Sequence, residues 1–351
     1  MAIVDPVRSE VLPVGLPMPK DADLLDAGAT RVRVRTVRDR FPFPIPNGWF
    51  PVALASELVP GQVIAVYYFA TDLVVFRTEG GEARVLDAYC PHLGAHLAVG
   101  GTVRGEHLAC PFHGWTFDGA SGACVEIPYA TSERIPSQAR VRTYPVIERN
   151  GLVFAWHHLE GGDPFFEVPV VDEFEDPGWL TPRLIEFRVS TSCQEMAENN
   201  HDFAHFKFVH GTDEIPAGSE LIEGTYKRTE SPGLVRETFG LGLGIVRSPG
   251  FMSFLSTVTP IDEDNVHVRW TFTVKGERDG GDLDWLSIDP ASGADDPVSA
   301  IARSFAEGVS QDIPIWENKV YRPRPVLTAQ EKGILAHRRW SRQFYSGLDD
   351  A

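Results

Sequence analysis

The chain has 351 residues, 43% of them hydrophobic and 23% charged, with a formal net charge of -17 at pH 7. That length can bury one large core or two ordinary ones. The acidic balance argues against nucleic acid as a partner, because a phosphate-binding surface needs clustered Lys and Arg.

No apolar run approaches the ~20 residues of a membrane helix, so no span is expected. The start, Met1 to Pro6, has no basic segment followed by an apolar one, which sets a cytoplasmic location as the expectation. Four cysteines are too few for a disulfide scaffold, and two of them, Cys90 and Cys110, sit in short Cys/His boxes that read as metal-binding. Cys124 and Cys193 stand alone and read as reduced, partly buried thiols.

Residues 1–46 carry seven prolines, which deny long helices and favour an extended arm. Within the arm, Arg31 to Arg35 alternates with a period of two, so a strand there shows one basic face. From Trp49 the pattern turns to short strands: Val63 to Tyr68, Leu73 to Arg77, Arg84 to Ala88, Trp115 to Phe117, Val141 to Ile147 and Leu152 to Trp156. Turn clusters separate them, and Asn150-Gly151 between two apolar runs is a hairpin signal. A small all-β domain over 47–160 follows, closing in the run Glu160 to Pro164.

The remainder, 161–351, mixes long strands with helices. Leu184 to Ser190, Tyr226 to Thr229, Leu234 to Phe239, Phe251 to Thr259 and Val266 to Val274 read as an antiparallel sheet. Asp279 to Pro297 is acidic and glycine-bearing and reads as an irregular loop. A helix begins near Pro297, a residue suited to the first helical position. A last helix, Ala329 to Tyr345, puts Ala336, Trp340 and Phe344 on one face. The fold class is therefore α+β, a β domain followed by a helix-bearing antiparallel sheet.

Cys90-Pro91-His92 and Cys110-Pro111-Phe112-His113 are separated by seventeen residues. Two thiolates and two imidazoles on paired loops can hold zinc or a [2Fe-2S] cluster with two histidines on one iron. Zinc modules usually pair like with like, whereas each loop here supplies one Cys and one His, as a cluster with unlike irons requires. These boxes resemble those of Rieske iron-sulfur domains. The resemblance implies Cys90 and Cys110 on one iron, and His92 and His113 on the other. Respiratory Rieske proteins add a disulfide between the loops, but Ala95 and Phe112 stand at those positions, which points to the ferredoxin and oxygenase branch.

A second candidate site lies between Glu198 and His210, where three histidines, two carboxylates and two carboxamides sit among apolar residues. Oxygen-activating non-heme iron is held by two His and one carboxylate. Geometry leaves the pair open: His201 and His205 lie ~40° apart around a helix, but His205 and His210 lie ~140° apart and need a bulge or helix end to meet. The third ligand is argued from spacing. Val298, Ile301, Phe305, Val309 and Asp312 form one helical stripe, and a carboxylate on an apolar stripe is expensive unless paired or metal-bound. Glu307 falls on the opposite face, and Glu317 follows Pro314, which is expected to interrupt the helix.

The string Asp202-x-x-His205-x4-His210 resembles the iron motif of Rieske non-heme iron oxygenases. That implies His205 and His210 as ligands of a mononuclear Fe(II), with Asp312 completing the site and His201 left beside it or at the surface. The same resemblance makes Asp202 an electron bridge, accepting from His205 and from His113 of a neighbouring subunit in a homotrimer, and places Asn199 near the iron, with Asn200 adjacent. Over its whole length the chain is similar to oxygenase components of 3-ketosteroid 9α-hydroxylases and the related cholesterol 7-desaturases. This implies a helix-grip-type catalytic domain, O2 as co-substrate, and a steroid-like apolar substrate that is hydroxylated or desaturated.

No G-x-G-x-x-G opens a helix, so electrons must come from a separate NAD(P)H-dependent ferredoxin or flavin reductase. Residues Phe239 to Phe254 are apolar enough to line a pocket, but sequence alone favours reading them as core. The alternatives are an aromatic or heterocycle mono- or dioxygenase and a non-enzymatic Rieske electron carrier.

Overall fold

The structure, a computed structural model, describes residues 40–132, 134–277 and 296–348. Most of the N-terminal arm, the Arg31 to Arg35 alternation and the acidic loop up to residue 295 lie outside the described residues. Among the described residues, no helix is long and apolar enough to cross a membrane.

Eleven short strands build the first half: β1 (Gly48–Leu54), β2 (Val63–Tyr68), β3 (Thr71–Arg77), β4 (Ala83–Asp87), β5 (Thr102–Arg104), β6 (His107–Ala109), β7 (Thr116–Asp118), β8 (Cys124–Glu126), β9 (Thr143–Tyr144), β10 (Val146–Arg149) and β11 (Leu152–His157). They form three antiparallel sheets in the orders β1-β11-β10, β2-β3-β4-β9 and β5-β6-β7-β8. The expected strand Val141 to Ile147 is split at Pro145, which cannot donate to a ladder. Asn150-Gly151 makes the expected hairpin, both residues having positive φ (54° and 76°).

The second half is one seven-stranded antiparallel sheet of β12 (Arg183–Val189), β13 (Ser219–Glu223), β14 (Tyr226–Ser231), β15 (Leu234–Phe239), β16 (Leu243–Ser248), β17 (Met252–Pro260) and β18 (Val266–Val274). Their order is β12-β18-β17-β16-β15-β14-β13. Four helices accompany it: α1 (Cys193–Glu198), α2 (Ala204–Phe208), α3 (Pro297–Asn318) and α4 (Lys332–Ser341). Asp296 caps α3 by accepting from the Ser299 amide at 3.0 Å, with Pro297 in the first turn. Its apolar stripe packs on β12 and β18.

Contrary to the sequence expectation, Pro314 does not end α3, which continues to Asn318. Pro314 and Ser310, whose carbonyl loses its partner, both face solvent, so water can satisfy the freed group. In α4 the buried residues are Ile334, His337, Trp340 and Ser341, and Phe344 is buried in the 3₁₀ turn that follows; Ala336 is only half-buried.

The core does not stop at the Glu160 to Pro164 turn. Trp49, Phe154 and Trp156 pack with Leu184, Leu243 and Leu255 of the large sheet. A second seam is polar. Pro51 O accepts from Thr259 Oγ1 at 2.8 Å and from Arg269 at 2.9 Å, and Arg269 also donates to the Tyr68 hydroxyl at 2.9 Å. Tyr68 Oη lies 2.7 Å from His267 Nδ1, while Glu186 sits 3.3 Å from His267 and 3.0 Å from Arg269.

The β2–β3 turn places Phe69 and Ala70 at left-handed φ (58° and 56°), which costs about 1–2 kcal/mol per non-glycine residue. Both amides donate across the seam, to Pro260 O and Ile261 O. Those bonds offset the strain by fixing the turn against the β17–β18 hairpin.

Burial, reinforced by Arg269, lowers His267 to about 4. Burial pushes Glu186 up, but His267 and Arg269 outweigh it and hold it down to about 2. A histidine whose folded pKa lies below its unfolded value gives full stability above the unfolded value and loses it as pH falls. The unfolding free energy from urea titration is therefore expected to drop between pH 6.5 and 4, by an amount on the order of 2–3 kcal/mol for this group. His267→Gln should flatten that part of the profile. An unchanged slope in the variant would remove His267 from the acid response.

Candidate metal centres

The two Cys/His loops share one backbone design. In each, the cysteine amide donates to the carbonyl five residues on (Cys90 to Ala95, 2.9 Å; Cys110 to Trp115, 2.8 Å). The cysteine carbonyl accepts from the glycine four residues on (Gly94, 2.9 Å; Gly114, 3.1 Å). Gly94 and Gly114 have φ of 74° and 71°, the region where a side chain is strained, so glycine makes both reversals possible.

Cys90 and Cys110 are buried with Leu97, Leu108 and Phe117, while His92 and His113 lie nearer the surface with ring centroids 4.7 Å apart. His92 stacks on Trp115 at 4.5 Å, and the Trp115 indole donates to Tyr129 Oη at 2.9 Å. Burial, with Cys110 close by, pushes the Cys90 thiol up to about 11. Such a thiol needs a cationic centre to ionise, and the buried His113 Nδ1 has no hydrogen-bond partner. Both features fit a [2Fe-2S] cluster on these loops.

Among the described residues, His205, His210 and Asp312 form a group whose ligand atoms all lie within 4.8 Å of one another. The pair left open by helical spacing meets because α2 ends. Gly211, at φ 70°, closes the helix with the Thr212 amide donating to Phe206 O at 3.2 Å, and this turn carries His210 back over His205. The ring centroids are 5.2 Å apart, and His210 Nε2 lies 3.3 Å from Asp312 Oδ2.

The tautomers follow from the other nitrogens. His205 Nδ1 contacts the Asp202 carbonyl, and His210 Nδ1 lies 3.4 Å from Gln311 Oε1, so both rings present Nε2 as the lone-pair atom. Burial raises Asp312 while His210 and His205 pull it down, the burial effect being larger.

The geometry also places the other candidate residues. The Asp202 carboxylate accepts the His205 backbone amide at 3.4 Å, and it is the Asp202 main chain, not its side chain, that meets the imidazole. Of the two carboxamides, Asn199 Nδ2 lies 3.3 Å from His205 Nε2, whereas Asn200 turns to Ala197 O. His201 is not at the surface: it is buried, lines the same cavity as the triad, and lies 2.6 Å from Lys227 Nζ. Cys124 and Cys193 are free and buried, at 7% and 3% exposure.

The triad opens on a cavity of about 380 Å³ walled by Leu241, Leu243, Val246, Phe254, Phe305 and Trp270. Part of the Phe239 to Phe254 run, assigned to core from sequence, therefore lines this cavity. Gln311, Lys227, Arg236 and His337 gave no signal as site residues. His337 was the most accessible of them, as a histidine three residues from Trp340 on the apolar face of α4.

A cysteine-histidine β domain, followed by a sheet whose long helix brings a carboxylate to two histidines, defines a Rieske-type oxygenase. Residues 48–145 match the Rieske [2Fe-2S] domain family, and residues 155–345 match the 3-ketosteroid 9α-hydroxylase C-terminal domain family. The chain belongs to this family of Rieske oxygenases, and its cofactors are a [2Fe-2S] cluster and a mononuclear iron.

It is 33% identical to cholesterol 7-desaturase nvd 1 of Ciona intestinalis, covering 90% of this chain and 72% of that one. It is 32% identical to the probable 3-ketosteroid-9-alpha-monooxygenase, oxygenase component, of Rhodococcus rhodochrous, covering 87% and 81%. Among solved structures, Pseudomonas putida CBB5 NdmA superposes with a TM-score of 0.67 at 22% identity, covering 84% of this chain and 88% of that one, a likeness of fold.

Iron analysis of the purified protein is expected to give about three irons per chain, two in the cluster and one in the second site. His210→Ala should lower this to about two while the brown colour and the paramagnetic signal of the reduced cluster persist. Three irons retained in that variant would remove His210 from the ligand set.

Proposed function

We propose that His205, His210 and Asp312 hold the mononuclear iron, that Cys90, His92, Cys110 and His113 hold the cluster, and that the enzyme hydroxylates or desaturates a steroid or similarly bulky apolar molecule. The observation that carries this reading is the apolar cavity opening directly onto the triad. When bound, the cluster supplies single electrons and the iron supplies O2 activation.

The chain's own residues do the rest. Asp202 O and Gln311 orient the two imidazoles, Asn199 stands beside the His205 ligand nitrogen, and the cavity wall holds an apolar skeleton against the triad while excluding water. Electrons come from a separate NAD(P)H-dependent ferredoxin or flavin reductase. None of the four cysteines is in a disulfide, which suits the reducing cytoplasm.

Electron delivery is proposed to run between subunits of a homotrimer. Leu93 and Phe112, at the tips of the cluster loops, are 65% and 61% exposed, and Tyr89, Val99 and Tyr129 extend the apolar surface around them. Asp202, half-buried beside His205, then accepts from His113 of the neighbour.

Two experiments test this reading. Incubation with a surrogate reductase, NADH, O2 and a panel of 3-keto and 3-hydroxy steroids is expected to yield a mono-hydroxylated or desaturated product by mass spectrometry; oxidation of none of them would remove the steroid assignment. Asp202→Asn is expected to keep its full iron content and lose at least about tenfold in NADH-coupled turnover, the size of a disrupted positioning contact. Unchanged turnover would dismiss the bridge.

A further inference from the structure

One wall of the cavity is polar. Lys227, on β14, is 1% exposed, with Nζ 2.6 Å from His201 Nε2 and 2.8 Å from His337 Nδ1. Its remaining direction faces the Trp340 ring, 4.2 Å from the centroid. An ammonium only donates, so both ring nitrogens must accept. His201 then carries its proton on Nδ1, which lies 3.0 Å from Glu220 Oε1. His337 carries its proton on Nε2.

The chain of donors runs from Lys227 through His337 and ends there. His337 is 1% exposed, lines the cavity, and its Nε2 has no hydrogen-bond partner. A buried donor left unpaired is costly, and a fold that holds one in a cavity wall has it ready for a ligand. Arg236, on the neighbouring strand β15, lines the same cavity, and its guanidinium makes no hydrogen bond or ion pair with any described residue. Burial lowers His337 well below its ordinary value, so it stays neutral, and brings Lys227 down to about 7.

We infer that His337 Nε2 and the Arg236 guanidinium form an anchoring subsite for a carbonyl-type oxygen on the otherwise apolar substrate, with Lys227 as the positioning residue that sets the His337 tautomer. Both groups donate. A ketone or carboxylate oxygen accepts from both and has no proton to place, whereas a hydroxyl oxygen can accept as well but brings a proton that neither group can accept. The subsite therefore selects an oxidised oxygen over an alcohol on the same skeleton. This rests on the reading of the cavity as the substrate site.

The test is equilibrium dialysis of the holoenzyme at pH 6, where Lys227 is charged, with 5α-androstan-3-one, 5α-androstan-3β-ol and 5β-cholanic acid. The ketone or the acid is expected to bind about tenfold more tightly than the alcohol, and whichever does so identifies the oxygen class. His337→Gln, which keeps a donor, should retain most of the preference. Arg236→Met, and the double variant Lys227→Met with His337→Leu, which leaves no stranded charge, should abolish it. Lys227→Met alone should narrow the preference while the alcohol's dissociation constant stays within about twofold, a split that misfolding would not produce.

Equal binding of all three probes, or a preference that survives in the double variant, overturns the subsite. If no steroid binds the wild type, the steroid reading fails separately. The anchor is then judged with 4-cyclohexylcyclohexanone and its alcohol, and the absence of a ketone preference there overturns it too.

Discussion

The site depends on one long-range contact, the approach of Asp312 to His210 at 3.3 Å, between a late helix and the end of a short one. Neither partner is positioned by its own element. α3 reaches the site because its stripe of Val298, Ala302, Ala306 and Val309 is buried on β12 and β18, which sets its axial position and rotation so that Asp312 and Ile313 fall inside. α2 is five residues long and could not hold a histidine pair alone. The Gly211 turn and the packing around it do so instead. An acid between two imidazoles in an apolar wall is unfavourable without a cation, so the fold has assembled a site whose electrostatics call for a metal.

The same cavity has two chemical poles. Three candidate ligands face it from α2, its following turn and α3, while the donors Lys227, Arg236 and His337 face it from β14, β15 and α4. α3 packs on β18, and β14 lies four strands away along the sheet, while His201, four residues before His205, reaches Lys227 at 2.6 Å. An apolar molecule with one polar end would be held in a single orientation by such a wall. Regiochemistry then becomes a matter of how far the reacting carbon lies from the anchored oxygen.

Legibility in the sequence followed the range of the interactions. β18 is readable to the residue because its alternation runs for nine positions. β5, β6 and β8, at three residues each, are too short for any period to appear, and β7 begins one residue later than expected. Asp312 was legible because a carboxylate on an apolar stripe contradicts the stripe, and the cysteine boxes were legible because their chemistry is local. The His205 and His210 pairing was beyond spacing rules because a helix end, not a helix, creates it. Lys227 was illegible altogether: it sits in a polar strand, Tyr226 to Ser231, and its partner His337 lies 110 residues away. The pleat of β14 sets its face, and His337 and Trp340 of α4 cover it there.

The seam between the two halves bears on the electron route. It is built from β1, β11 and the β2–β3 turn, whose Phe69 and Ala70 amides bind the β17–β18 hairpin. The cluster loops take no part in it. Leu93 and Phe112 at their tips remain exposed, and the histidine edge of the candidate cluster site points out with them. If the fold delivered electrons within one chain, the histidine-bearing tips would be expected to face the chain's own second site, since transfer weakens steeply with distance. An apolar rim around an exposed edge is what the proposed docking of another subunit requires, and Asp202 is half-buried next to His205.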